Sequence, residues 1–468
     1  MFVYPISNLI YRFPKTRIDD AFFSGIFTLT TSQILKEILR LAIPAMLALA
    51  STPLLSIGET AMIGRLGAEP LAARAIGAAL TGAIYWVFAF LTFGSTTLIG
   101  HHYGAGDVKA CGETYLHGLF LAVIGGAAIA AVCIVFAPEL YRLMGADDKV
   151  AELGARYFRV YIAGAPCTLI MLASVGFFRG VQNTRTPMVL AFFTNGLQLI
   201  LGYGLIYGHF GLPRLELLGA AVAAVIAQSA GALTYVGSFF LGRETAPYRQ
   251  ISSQICKERL VPLFRIGQDL AIRTGALRGS LVFATATAAR MGAVTLSAYE
   301  IAFQLFMLCS EVIDGLAVAG QALVAKYLGS GQRSTAFRMG KIVTACGAVV
   351  GVGFALFFLA TREPILQFFT SSTQVHATLT FELFVLVGLM QPFNGIVFVL
   401  DGLLIGAKDT RYLMWAMLAG GLGLFVPIAW LSLRQGWGLT GLLIGISALM
   451  AWRLLTNGYR FGTWRRSA

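Results

Sequence analysis

The sequence predicts an all-α membrane protein of twelve transmembrane helices, arranged as two pseudo-symmetric six-helix bundles. Three observations predict it. Of 468 residues, 57% are hydrophobic and only 12% are charged, about half the charge of an ordinary soluble domain. The apolar residues fall in long runs, each near the ~20 residues needed to cross ~30 Å of hydrocarbon. The two halves of the chain also repeat one another.

The spans are expected at 37–62, 76–100, 115–138, 158–178, 187–208 and 218–241, then at 264–288, 298–326, 340–361, 378–403, 412–432 and 439–459. Residues 1–33 mix Arg12, Lys15 and Arg17 with Asp19 and Asp20 and end in no small-residue cleavage site, so they read as a retained cytoplasmic leader. Residues 34–241 form the N-lobe and 263–461 the C-lobe. The basic stretch 242–262, with Arg243, Arg249, Lys257 and Arg259, links them, and 462–468 is a cytoplasmic tail.

The net charge of +13 is spread along the chain rather than gathered on one module, so it reads as loop charge and not as a nucleic-acid footprint. With both termini placed in the cytoplasm, inside segments carry roughly twice the Lys and Arg of outside segments, as the positive-inside rule requires. An even number of spans agrees. The six cysteines, Cys111, Cys133, Cys167, Cys256, Cys309 and Cys346, show neither CxxC spacing nor pairing, so no disulfide framework or metal site is expected.

Residues 65–76 read RLGAEPLAARAI and residues 290–301 read RMGAVTLSAYEI. The same offset of 225 maps Gly104-Ala105-Gly106 onto Gly329-Ser330-Gly331, and an offset of 226 maps GVQNTR (180–185) onto GAKDTR (406–411). Six spans per repeat is an even number, so both halves enter the membrane from the same side. Parallel repeats of this kind are a transporter architecture, with the substrate site between halves. The glycine turns at 104–107 and 329–332 follow long apolar runs, where a positive φ ends a helix. No GKS or GKT follows them, so a nucleotide site is not indicated.

Several segments resemble the multidrug and toxic compound extrusion (MATE) family. Ile57-Gly58-Glu59-Thr60-Ala61-Met62-Ile63-Gly64-Arg65-Leu66-Gly67 stands where that family has V-D-T-x-x-x-G-x-L-G, and GVQNTRTP resembles its G-x-G-D-T-R-T-P. In the second half, Asp269 to Thr274, Asp314-Gly315-Leu316-Ala317 and Phe398 to Gly402 look like the D-x-x-x-R-T, D-G-x-A and F-x-x-D-G signatures of its DinF branch. The resemblance runs from 35 to 461. It implies cation-driven antiport, H⁺ or Na⁺ entering in exchange for an exported organic compound, and a V-shaped pair of bundles.

Ionisable groups inside a membrane are costly and therefore functional hypotheses. Glu59 lies in the last turns of the first span with no basic residue three or four positions away, and its repeat counterpart is Ala284. Burial disfavours the charged form of a lone carboxylate, which suits Glu59 to carry a proton. Asn195 and Gln198 share one face of the fifth span and are expected to hydrogen-bond to it. The family often has a further Asp there; Gly202 takes its place. That loss favours H⁺ over Na⁺, because hard cations prefer several charged oxygens.

In the C-lobe, Asp269 and Arg273 are spaced to pair on the seventh span, and Glu311 and Asp314 share a face of the eighth. They form either a second coupling or substrate site or a charge network that pins helices. Asp401 is expected near the cytoplasmic end of the tenth span, as a cap or gate contact. Tyr85, Phe88, Phe303, Phe306 and Met307 are candidates for the cavity lining. His101 and His102 are read as interfacial.

These observations lead to a monomeric secondary antiporter of a bacterial inner membrane, exporting small organic molecules without a bound cofactor. A lipid or organic-anion exporter of the same fold is the nearest alternative. A membrane transferase or a channel is less well matched: no outside loop gathers Asp, His or Ser, and no glycine-rich re-entrant filter is present.

Overall fold

A computed structural model describes residues 30–251, 257–369 and 373–464. Most of the expected leader and tail, part of the linker and Cys256 lie outside the described residues. The other five cysteines carry free thiols.

Helices dominate because the apolar runs have no other way to satisfy their backbone in lipid. In chain order they are α1 (Thr31–Gly64), α2 (Ala68–Val87), α3 (Phe90–Gly104), α4 (Val108–Val135), α5 (Ala137–Leu143), α6 (Asp148–Ala163), α7 (Ala165–Gly180), α8 (Arg185–Tyr207) and α9 (Leu217–Leu241). The second half holds α10 (Lys257–Arg290), α11 (Ala293–Gly329), α12 (Arg333–Ala360), α13 (Arg362–Phe369), α14 (Thr373–Thr378), α15 (Phe381–Gly406), α16 (Thr410–Gly420), α17 (Val426–Gln435) and α18 (Gly438–Thr463). A π-helical turn, Gly421–Phe425, joins α16 to α17.

Among the described residues, ten helices or continuous helix pairs are long and apolar enough to span, and α6 with α7 makes an eleventh bent by 46°. The bend falls at Gly164-Ala165-Pro166, where the proline removes a backbone donor. The twelfth, α10, is as long as α1 but carries Arg265, Asp269, Arg273 and Arg278 along its length. Asp269 and Arg273 are buried and partnered by neighbouring helices, as described below, while Arg265 and Arg278 are exposed.

The backbone repeats as the sequence does. Gly67 and Gly292 have φ of 129° and 115°, Gly106 and Gly331 have 74° and 77°, and Gln182 and Lys408 both have 65°. Each pair stands at the offset read from the sequence, so the turns of the two halves share one handedness. Left-handed φ is costly for residues with a Cβ, which makes the Gln182 and Lys408 pair the more telling.

The chain divides into two compact units. The first runs to Tyr85 and resumes over Asp107–Ser253; the second comprises Trp86–Gly106 and everything from Gln254 onward. The sequence repeat and the compact units therefore differ by one half-span, α3. In the first unit, one core cluster gathers Ile63, Tyr141, Phe158 and Ile206, with Tyr141 donating to the Ala73 carbonyl at 2.9 Å. A second aromatic group joins Tyr115, Phe177, Phe239 and Tyr248, with centroids 4.6–5.6 Å apart.

In the second unit α3 is stitched to its neighbours by polar contacts. Thr97 Oγ1 donates to the Ile405 carbonyl at 3.1 Å, His101 Nε2 lies 2.9 Å from the Gly406 carbonyl, and Gln321 Nε2 donates to Phe93 O and Thr97 Oγ1. Small residues permit the approach: a Cβ on Gly104 would stand 1.9 Å from the Lys326 carbonyl oxygen, and one on Gly329 2.1 Å from that of His101. Small residues at helix crossings are how membrane helices gain close packing. Leu54, Leu233, Val349 and Leu455 point outward, each more than 60% exposed, as a lipid-facing surface requires.

Candidate functional site

The first-unit site is built by α1, α2 and α8. Glu59 sits five residues before the end of α1. The turn Arg65-Leu66-Gly67 reverses the chain, its positive φ at Gly67 free of strain because glycine has no Cβ. The reversal brings Arg74 of α2 back beside Glu59: Nη2 is 3.0 Å from Oε2, with both side chains nearly buried. Arg74 also donates to Thr60 Oγ1 at 2.8 Å and Ser56 Oγ at 3.2 Å. Gln198 of α8 donates to Glu59 Oε1, as expected. Asn195 does not reach Glu59; its Nδ2 donates to Ser51 Oγ at 2.9 Å.

Glu59 is therefore not the lone acid expected from the sequence. The positions three and four residues away on the same helix hold no base, and the guanidinium comes from the next helix, after a turn. The signal for Arg74 was present nonetheless, as an arginine inside an apolar span. Tyr157 and Tyr161 of α6 lie within electrostatic reach of both members of the pair.

The second-unit cluster is centred on Asp401, buried in the interior of α15 rather than capping its end. Arg273 of α10 and Arg453 of α18 both donate to Asp401 Oδ2, and Asn457 Nδ2 donates to Oδ1 at 2.7 Å. Arg273 thus pairs across helices and not with Asp269, whose Oδ2 accepts from Thr410 at 2.7 Å. The i, i+4 spacing permits the Asp269–Arg273 pair, but a carboxylate on a facing helix competes for the same guanidinium. Asp314 keeps an exposed face while feeling the fields of Glu311, Asp401, Arg273 and Arg453. Arg453, fully buried and missed in the sequence, is another arginine in an apolar helix.

Of the five proposed lining residues, Phe303 and Phe306 border a cavity of about 30 Å³ inside the second unit. Tyr85 packs against the first unit's core. Phe88 stacks on Phe90 with centroids 6.2 Å apart, and Met307 is not among the residues bordering the cavity. His101 and His102 fall in the last turn of α3.

The MatE family model matches residues 44–204 and 279–431, one block in each half. The chain belongs to the MatE family. Among MatE-related proteins, it is 27% identical over 441 residues to the DNA damage-inducible protein F of Escherichia coli, covering 92% of this chain and 94% of the other. It is 27% identical to a probable multidrug resistance protein NorM of Thermotoga maritima, covering 93% and 94%. A MATE structure in the bent conformation superposes with a TM-score of 0.84 at 21% identity, over 93% and 97% of the two chains. This MatE chain is accordingly a multi-pass membrane protein with the fold of MATE transporters.

Proposed function

We propose that this protein is a secondary antiporter of the bacterial plasma membrane, with both termini cytoplasmic, that exports small organic compounds in exchange for H⁺. The observation that carries the reading is the Glu59–Arg74 pair: an ionisable couple set among apolar spans, with Ala284 and Tyr299 at the repeat counterparts of the acid and the base. The names of relatives, a multidrug resistance protein among them, support small organic substrates.

The coupling step follows from the contacts. While Glu59 is ionised, Arg74 and Gln198 hold it. A proton arriving on Glu59 cancels the attraction, and Arg74 retains Thr60 and Ser56 as acceptors. The pair is thus a two-state element whose balance a single proton shifts. A guanidinium already fills the cationic position beside the carboxylate, so Na⁺ would have to displace it and would find few charged oxygens. This favours H⁺. An anion or lipid exporter draws less support, because Arg273 and Arg453 are both spent on Asp401.

The test is substrate-driven proton release from proteoliposomes, using a panel of amphipathic dyes. Glu59→Gln is expected to abolish release, and Asp314→Asn to retain it. Loss with Asp314→Asn while Glu59→Gln stays active would move coupling to the second unit.

A further inference from the structure

Arg278 belongs to neither charged cluster. It lies on α10, five residues beyond Arg273 and well inside the stretch 264–288 expected to span the membrane. At 1.5 Å per residue it stands roughly 15 Å from one end of that stretch and 21 Å from the other. That is too far for an arginine side chain to snorkel to a headgroup. The residue is exposed, and among the described residues it makes no ion pair, hydrogen bond or ring contact. Arg74, Arg273 and Arg453, by contrast, each hold a carboxylate. An uncompensated guanidinium at mid-span is costly against hydrocarbon. Its face of α10 therefore meets water, in a hydrated cavity.

The surroundings of Arg278 have a defined chemistry. Ala271, Thr274, Gly275 and Thr285 stand three, four or seven positions away, the spacings that place side chains on one helix face. Small groups there leave the guanidinium uncovered. Gly275 also admits Trp86, which belongs to the same compact unit: a Cβ on the glycine would stand 3.4 Å from Cη2 of the indole. Trp86 is only half-buried. A flat aromatic surface thus lies about one helical turn from an unpaired cation. The same unit also exposes a carboxylate, Asp314 of α11.

We propose that Arg278 and Trp86 bind an aromatic carboxylate group of the transported compound. The planar fork of N–H donors matches two carboxylate oxygens, and the ring lies against the indole. Asp314 in the same unit disfavours a net anion, so the class that fits is an aromatic zwitterion. The inference deepens the export reading by naming a substrate class, and rests on it only for the direction of movement.

The experiment is equilibrium binding to the full-length protein in lipid nanodiscs, with no ion gradient and with empty nanodiscs subtracted. A failure of the coupling reading would therefore leave it untouched. The probes are rhodamine B, a zwitterion, and its ethyl ester, in which the carboxylate is capped. Rhodamine B is expected to bind about tenfold tighter than the ester. Arg278→Gln should abolish that preference while ester binding and thermal stability are kept, because no contact within the protein is lost. Arg278→Lys, which keeps the charge without the planar fork, should retain part of it. Trp86→Ala should weaken both dyes alike. Equal binding of the two dyes to the wild type, or a preference that survives Arg278→Gln, would overturn the proposal; unchanged binding in Trp86→Ala would remove the indole from the site.

Discussion

Arg74 Nη2 lies 3.0 Å from Glu59 Oε2, joining two helices that the sequence separates only by a three-residue turn. Two opposite charges in a weakly hydrated setting depend on each other. Removing one leaves the other uncompensated, at about 3–5 kcal/mol for a buried pair.

The first prediction concerns that dependence. Arg74→Gln alone is expected to lower stability more than the double variant Arg74→Gln with Glu59→Gln, which removes both charges. A double-mutant cycle on thermal unfolding in detergent should give a coupling of about 1–3 kcal/mol. Additive effects would mean that the two side chains do not interact.

Asp401 supplies the second prediction. It accepts directly from both Arg273 and Arg453 in the buried cluster, with Asn457 adding one hydrogen bond. Asp401→Asn should cost about 3–5 kcal/mol, whereas Asn457→Ala should cost about 1–3 kcal/mol. Chemical denaturation of the purified variants ranks them, and the reverse order would remove Asp401 from the centre of the cluster.

Helix approach is the basis of the third. A methyl group on Gly329 would stand 2.1 Å from the His101 carbonyl oxygen, and backbone on both sides leaves nothing to give way. Gly329→Ala is expected to cost about 1–3 kcal/mol through overpacking, seen as a lower midpoint in thermal unfolding. Gly353→Ala, where a methyl meets open space, should by contrast stabilise its helix slightly.

The fourth turns on Lys408, between α15 and α16, whose φ is 65°. Lys408→Gly relieves left-handed backbone strain of about 1–2 kcal/mol, less the greater freedom glycine gains when unfolded, about 0.5–1 kcal/mol. A small net rise in stability is expected. Lys408 is exposed overall, yet partial desolvation of its ammonium lowers the pKa from its ordinary value. Between the folded and unfolded values the unfolded chain binds the extra proton, so wild-type stability rises with pH in that alkaline window. The advantage of Lys408→Gly should therefore be greatest at neutral pH and shrink as pH climbs through the folded pKa of the lysine. An advantage that grows with pH would contradict the desolvation of this ammonium.

The π-helical turn Gly421–Phe425 shows how far the repeat extends. It stands at offset 226 from Asn195–Leu199, the stretch of α8 that holds Asn195 and Gln198. In the first unit Asn195 donates to Ser51; in the second a Cβ on Gly421 would meet Ser280 Oγ at 2.8 Å, and the carbonyl oxygen of Ala276, the counterpart of Ser51 at offset 225, at 3.7 Å. Pro427, in the first turn of α17, lacks a donor for the preceding turn and accounts for the local widening.

What the sequence determined by itself was everything that depends on position along one helix. Apolar runs of membrane length and the 225-residue repeat are one-dimensional signals, and they were enough for the membrane class and the duplication; the family followed from motifs that resemble its own. Gln198 beside Glu59 also followed, because both were already suspect as polar groups in lipid. The ion partners did not follow. Arg74 for Glu59 and Arg453 for Asp401 come from other helices, and same-helix spacing carries no information about which helices adjoin. For Asp269 and Arg273 it suggested a pair that the fold does not form. Only tertiary packing decides which charges meet, because a Coulomb interaction in a weakly polar interior depends on distance through space.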